Sequence, residues 1–320
     1  MSQIPQVEHE AQNSTGRWRL PTSSQMSEAK FAYLLALPVA IVLILLNLYP
    51  FLYSIWISLR DIDLRFGIDE FTGLDNFRAT LQSQDVRDSL WITIKYSVQV
   101  TVFSTLLALG MAILLNERFY GRVLLTTVIL LPWAVSTYAS GIVWRFLLST
   151  ENGLLPATVA RLGITDSPPN LMNVDTALTW LSIAHTWHIA PLGVFFMLAT
   201  LQVIPQDLYR VGRIDKLGPI GRFRYVTFPY LKAPVLIVLI LNTLSAVNVF
   251  DLIYFTTAGG PGSATRVMTY EIYTQAFLNL RLGLGAAEAW VLLVLVIVVT
   301  LIYVRVLYRK EAHTVEEAPA

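Results

Sequence analysis

Long apolar runs alternate with short polar interruptions along this chain. Six of the runs, near residues 31–59, 90–115, 122–147, 178–203, 234–256 and 287–308, are continuous and free of regular polar alternation. A bilayer core of about 30 Å is crossed by about 20 apolar residues in a helix. Strands of a membrane barrel would instead alternate residue by residue. The pattern predicts an all-α polytopic membrane protein with six transmembrane helices in a single domain, residues 30–310. Residues 1–29 are polar without a sustained period and read as a flexible cytoplasmic tail, and residues 311–320 as a cytoplasmic C-terminal tail. The first apolar run is longer than the 7–15-residue core of a signal peptide, so it is expected to stay as a span.

Composition sharpens the class. Of 320 residues, 55% are hydrophobic and 14% are charged, and mean hydropathy is +0.56. A soluble domain carries about 25% charged residues. A net charge of +1 gives no global field to gather nucleic acid. The chain has no cysteine, which rules out disulfides, a thiolate nucleophile and Cys-ligated metal.

The placement of Lys and Arg sets the orientation. With both termini inside, fourteen of the 23 basic residues fall on the inner side and seven on the outer. Lys95 and Arg145 lie within spans near an outer helix end, where a long side chain reaches the interface. The inner excess concentrates in one loop, 205–233, which holds Arg210, Arg213, Lys216, Arg222, Arg224 and Lys232. Leu208–Leu217 and Ile220–Thr227 read as two short helices broken at Gly218-Pro219, with Phe223 and Val226 on one face. Such a knob is either a rigid docking element or a basic anchor for anionic membrane lipid.

Polar residues inside the spans are few. Asn242, Ser245, Asn248 and Asp251 recur every third position along the fifth run. At that depth they face a water-filled cavity or bond to another helix, because lipid satisfies neither donor nor acceptor. The cavity reading makes them, with Tyr254 and His188, candidates for a substrate pathway. Amides and carboxylates suit sugar hydroxyls, and Tyr254 suits either a sugar ring or the aromatic belt. His185 and His188 lie three apart but lack a nearby third ligand in the sequence, so hydrogen bonding between helices is expected of them and no metal site. Val267, Tyr270, Tyr273, Phe277 and Leu280 form an apolar stripe expected to lie as an interfacial helix at the outer face.

The loop carries a resemblance as well as a charge. Asp215, Phe223 and Pro229 stand at the spacings of the cytoplasmic signature loop of binding-protein-dependent ABC importer permeases, and Ile204-Pro-x-x-Leu-Tyr209 is similar to its lead-in. Departures are Arg210 where Glu is usual, Val211 and Gly212 for two Ala, Lys216 and Leu217 for Gly-Ala, and Phe228 for Leu. Phe71-Thr-Gly-Leu-Asp-Asn-Phe77, Phe250-Asp251-x-x-Tyr254 followed by Gly259-Gly260-Pro261 and Thr265, and Gly283-Leu-Gly-Ala-Ala287 resemble elements of the carbohydrate-uptake branch, the permeases like the larger maltose-importer subunit.

The resemblance implies the type I ABC importer permease fold, N-in and C-in, in the inner membrane of a prokaryote. It implies a non-catalytic subunit that moves a sugar, a polyol or a related phosphate or phosphodiester derivative inward by alternating access. The implied partners are a second six-span permease subunit, a cytoplasmic ATPase dimer and an extracytoplasmic substrate-binding lipoprotein. ATP and Mg would sit on the ATPase, and no cofactor on this chain, which contains no Gly-x-x-x-x-Gly-Lys-Ser/Thr loop. Tyr209, Arg210, Gly212, Asp215, Lys216, Gly218, Phe223 and Pro229 become the candidate ATPase-coupling residues. A stand-alone secondary transporter or channel is the alternative, but it predicts more ionisable residues in mid-span. An intramembrane enzyme would need a dyad or metal cluster beyond two histidines.

Overall fold

The structure, a computed structural model, describes residues 28–315, so the expected N-terminal tail falls almost wholly outside the described residues. The chain divides at Tyr53 into two compact units. In the first, α1 (Glu28–Leu43) runs through a π-helical turn, Ile44–Leu48, into the start of α2 (Tyr49–Ser58), whose last five residues belong to the second. Pro38 removes one backbone donor inside α1, and Asn47 Nδ2 donates to the Leu43 carbonyl at 2.8 Å beside the widened turn. Tyr33–Ser58 spans 26 residues at a mean hydropathy of 2.4, enough for one membrane crossing.

The second unit opens on an outer collar. Strands β1 (Arg60–Asp63) and β2 (Ile68–Phe71) pair antiparallel, and α3 (Asp75–Gln82) follows. Asn76 is buried and donates to the carbonyls of Ser58 and Arg60 at 3.0 and 2.8 Å, tying the helix back to the strand. Ser83 then caps α4 (Gln84–Asn116), whose 33 residues make a rod of about 50 Å.

The expected third span is not one straight helix. It is α5 (Arg122–Ala134) and α6 (Thr137–Leu148), bent by 102°. Pro132 cannot donate within α5, Val135 and Ser136 are extended, and Ser136 Oγ starts α6 by accepting from the Ala139 amide at 3.3 Å. After the short α7 (Leu154–Arg161), α8 (Ala177–Val203) is the most buried of the spans. The basic loop at 205–233 forms α9 (Gln206–Ile214) and α10 (Pro219–Arg222). A π-helical turn, Phe223–Thr227, joins α10 to α11 (Phe228–Val247).

The expected fifth span is also broken. α11 ends at Val247, the backbone leaves helical geometry at Asn248–Phe250, and α12 (Asp251–Thr256) starts afresh. The chain returns through α13 (Met268–Tyr273) and a further π turn, Thr274–Leu278, into α14 (Leu282–Val315). α14 begins five residues before the apolar run suggested, and residues 311–315, expected in the tail, continue it. The described chain thus has five helices long enough to cross a membrane, and a sixth crossing if α5 and α6 are one broken span.

Lipid offers no hydrophobic drive between helices, so close contact and interhelical hydrogen bonds must hold them. α4, α8 and α11 meet at Gly193, where a Cβ would lie 2.9 Å from Ala108 and 3.0 Å from Val238. Two apolar clusters form around this contact. The outer contains Tyr96, Leu181 and Leu252, and the inner contains Leu115, Met197 and Leu231. Between them runs a polar belt. Asn242 donates to Ser104 Oγ at 2.7 Å, Thr101 pairs with Thr243 at 3.1 Å, and Thr243 pairs with Tyr303 at 2.7 Å. Each such bond is worth about 0.6 kcal/mol on average in membrane helices, so the belt fixes register more than it adds stability.

Candidate functional site

The two helix breaks lie beside the same cavity. Its volume is about 410 Å³, and it is walled by α5, α6, α8, α11 and the Asn248–Asp251 break. Unwound backbone inside a membrane protein is tolerated where it lines a cavity or is buried in protein. Pro132 and Pro191 lie in the helices of this region, and Asn248 and Phe250 leave helical dihedrals in it.

Two histidines connect the cavity to the core. His185, 2% exposed, receives or donates a hydrogen bond with Tyr96 Oη at Nδ1 (2.9 Å) and with Ser245 Oγ at Nε2 (3.2 Å). His188 Nδ1 donates to the Pro132 carbonyl at 3.0 Å. Its Nε2 is then the acceptor, and Thr137 Oγ1 lies 3.4 Å from it. Both rings are held by neighbouring helices, as expected of them.

The pathway candidates divide. Ser245, Asn248 and Asp251 are exposed and His188 half-buried, and all four line the cavity. Asn248 donates Nδ2 to the Leu244 carbonyl at 2.8 Å, which leaves its amide oxygen to face outward. Asn242 also borders the cavity but is 4% exposed, and its donors are taken by Ser104 and Thr105. It belongs to the helix contact more than to the open space. Tyr254 is not a lining residue. It packs in a ring cluster, 5.4 Å from Phe250 and 4.8 Å from Phe255. Trp133 and Thr137, which the sequence leaves open between helix packing and pore lining, line the cavity. Phe250 lines it as well, and its signal lay in the backbone break, which residue spacing does not reveal.

The outer stripe is not one amphipathic helix. Val267 and Tyr270 are buried, Tyr273 is half-buried, and Phe277 is 64% exposed. The neighbouring Tyr254 hydroxyl is the main cause that raises the Tyr273 phenol above its ordinary range.

At the opposite end, the basic loop is a built knob. α9 ends with the Leu217 amide donating to the Gly212 carbonyl (2.9 Å) and the Lys216 amide to the Arg213 carbonyl (3.1 Å). This closing pattern puts Lys216 in the left-handed region, φ +57. Gly212 is buried, with Arg222, Leu217 and Val226 3.4–3.7 Å from where its Cβ would stand. Tyr209 Oη bonds Thr227 Oγ1 at 3.1 Å, and Tyr209, Phe223 and Val226 pack under the inner cluster. Gly218 is extended ahead of Pro219, and Pro229 sits in the first turn of α11, where a missing amide costs nothing. Asp215 is exposed at the end of α9. Arg210 pairs with Asp207 of its own helix at 2.9 Å, both well exposed. Ile214 and Ile220 are 78% and 82% exposed on the same knob.

Residues 104–311 match the family described as binding-protein-dependent transport system inner membrane component. The chain is 35% identical over 290 residues to a trehalose/maltose transport system permease protein of Thermococcus litoralis, covering 90% of this chain and 97% of that one. It is 31% identical over 280 residues to an sn-glycerol-3-phosphate transport system permease protein of Pectobacterium atrosepticum, covering 87% and 94%. In fold it is similar to a chain of a bacterial ABC transporter involved in alginate import, with a TM-score of 0.75 at 18% identity, covering 88% and 96%.

Proposed function

The chain belongs to the family of binding-protein-dependent inner-membrane transport components, as a permease subunit of a prokaryotic ABC importer, and from that premise we infer that its central cavity is one wall of the path for a sugar, a polyol or a phosphate derivative of one. The observation that carries this reading is the convergence of two helix breaks on the polar space lined by His188, Ser245, Asn248 and Asp251. These side chains offer compact donors and acceptors for hydroxyls. The names of the relatives, a trehalose/maltose permease and a glycerol-phosphate permease, support this range of cargo.

The rest of the cycle is part of the same proposal. The knob at 205–233 docks in a cytoplasmic ATPase dimer through its exposed apolar tip and basic rim. A second permease supplies the other wall of the path, and an extracytoplasmic binding protein delivers cargo to the outer collar. Lipid surrounds the spans. ATP and Mg belong to the ATPase, whose closure would swing the knobs and reverse the access of the cavity. Phe223 wedges the knob beneath α11, so Phe223→Ala should leave ATP hydrolysis running without import.

The test of the cavity is Asn248→Leu in the complete transporter, in cells lacking other importers of the same sugars. Uptake of labelled maltose, trehalose or glycerol 3-phosphate, whichever the wild type accumulates, should fall at least about tenfold, a change of about 1.4 kcal/mol. Co-purification with the ATPase should be unaffected. Wild-type uptake by the variant would return Asn248 to helix packing.

A further inference from the structure

Beyond the cavity, the outer half of the chain holds a run of aromatic rings that the transport reading leaves unused. Phe250 is its inner end and lines the cavity. From it the rings continue through Tyr273 at 5.1 Å and Phe277 at a further 5.5 Å, with Tyr254 at 5.4 Å from both Phe250 and Tyr273. The series changes from half-buried at Phe250 to 64% exposed at Phe277. It rises from a break in the fifth span, across α13, to the π turn before α14.

Rings of a membrane belt stand at the lipid interface with their polar tips in the headgroups. These rings instead touch one another in sequence, Tyr273 meeting Tyr254 edge to face at 5.4 Å. Aromatic side chains combine a broad apolar face with low conformational cost, a combination that suits ligands with one apolar and one polar aspect. A pyranose has this character, with C–H groups on its ring faces and hydroxyls around its rim. Asp251, next to the inner ring and exposed to the cavity, is placed to accept from such hydroxyls.

We propose that Phe277, Tyr273, Tyr254 and Phe250 form an aromatic track that receives pyranose rings of a neutral saccharide at the outer face and passes them to the cavity. The claim rests on the reading of the cavity as the cargo path and narrows the cargo to ring-form saccharides. Successive rings about equally spaced let a saccharide exchange one stacking partner for the next without full release. A glycerol phosphate has no ring face to stack, so the track does nothing for it.

The experiment uses the complete transporter and three labelled probes, maltose, maltotriose and glycerol 3-phosphate. Phe277→Leu and Tyr273→Leu should each raise the KM for saccharide uptake by about two- to tenfold, the worth of one aromatic contact. The loss should be larger for maltotriose than for maltose. Tyr273→Phe keeps the ring and should stay within about twofold of wild type. Phe277 is exposed, so its replacement does not threaten folding, and ATPase co-purification monitors assembly. Unchanged saccharide KM in both Leu variants overturns the track, as does a Tyr273→Phe variant as impaired as Tyr273→Leu. A wild type that imports glycerol 3-phosphate and no saccharide overturns it too. Sensitivity of wild-type uptake to Asn248→Leu reports on the cavity alone, so the cavity reading stands or falls separately from the ring variants.

Discussion

His188 on α8 holds the carbonyl of Pro132 on α5 at 3.0 Å, bridging the point where α5 and α6 turn away from each other by 102°. The break frees carbonyls that a continuous helix would use, and the imidazole satisfies one of them while keeping its other nitrogen toward Thr137. The same residue therefore stabilises the bend and forms part of the cavity wall.

Replacing it by an apolar side chain leaves that carbonyl with the Val135 amide at 3.3 Å alone. His188→Leu should lower the stability of the assembled complex by about 0.5–1.5 kcal/mol. His188→Gln, which keeps a donor, should recover most of the loss. Thermal melts of the detergent-solubilised complex measure both, and equal melting of the Leu and Gln variants would remove the hydrogen bond from the explanation.

Lys216 occupies a left-handed position, φ +57, that the signature loop of the family ordinarily fills with glycine. An L-residue there costs about 1–2 kcal/mol relative to its preferred basins, and glycine carries almost none of that cost. Lys216→Gly should slow amide exchange across α9 and α10 by about fivefold or more. Faster exchange would mean that the lysine side chain holds the knob by some other contact.

The collar contains a pH-dependent tie. Asp63 is almost buried, and Arg65 reaches it with Nε at 2.9 Å and its own amide at 3.0 Å, which holds the Asp63 carboxyl below its ordinary 3.8. A depressed carboxylate stabilises the fold at every pH above the ordinary value, and that contribution disappears as pH falls through the lower, folded value. The hairpin is joined to the start of α14 by the Leu64 amide on the Leu280 carbonyl at 3.0 Å and by an antiparallel backbone β-bridge between Asp63 and Arg281. Acidification from pH 5 to pH 3 should therefore expose residues 60–71 to limited proteolysis in the wild type. Asp63→Asn should be cleaved at a rate that varies much less over that range. A parallel acid response in the two proteins would assign the effect to other groups.

How far the sequence announced this structure depends on the kind of signal. Apolar length located the five long spans and the bent α5–α6 pair, because lipid demands about 20 residues whatever the packing. The polar interruption at 205–233 and its Gly218-Pro219 break located the knob, because a short surface element between two spans is set by local turns. The breaks at Val135–Ser136 and Asn248–Phe250 were hidden, since both lie inside apolar runs where periodicity is flat. A three-residue polar recurrence could not tell Asn242, tied to Ser104, from Asn248, open to the cavity, because the helix ends between them. The aromatic stripe was visible, but its fold into a ring-to-ring series depended on the π turn at Thr274–Leu278.

Glu271 and Glu288 offer a sharper test of packing at the collar, because burial treats them differently. Each is 1% exposed. Glu271 has partners, with Gln275 donating to Oε1 at 2.8 Å and Arg266 at 3.6 Å from Oε2. Glu288, on the first turns of α14, has Oε2 without a hydrogen bond, as has Glu271, but unlike Glu271 it has no basic side chain within ion-pair distance among the described residues; burial is its main burden, with Glu271 and Asp85 adding to it and Arg281 offsetting it. A buried carboxylate lacking a close partner is costly, whereas removing one member of a buried ion pair strands the other. The two conservative substitutions should then have opposite signs. Glu288→Gln keeps the volume, removes a buried acid that lacks a close basic partner and should raise the melting temperature of the complex, by about 1 kcal/mol of stability. Glu271→Gln leaves Arg266 half-buried without its carboxylate and should lower it by about 1–3 kcal/mol. Melting both variants at neutral pH decides the matter. A Glu288→Gln complex that melts below wild type would mean that this carboxylate holds α14 to the collar and is not tolerated there at a cost.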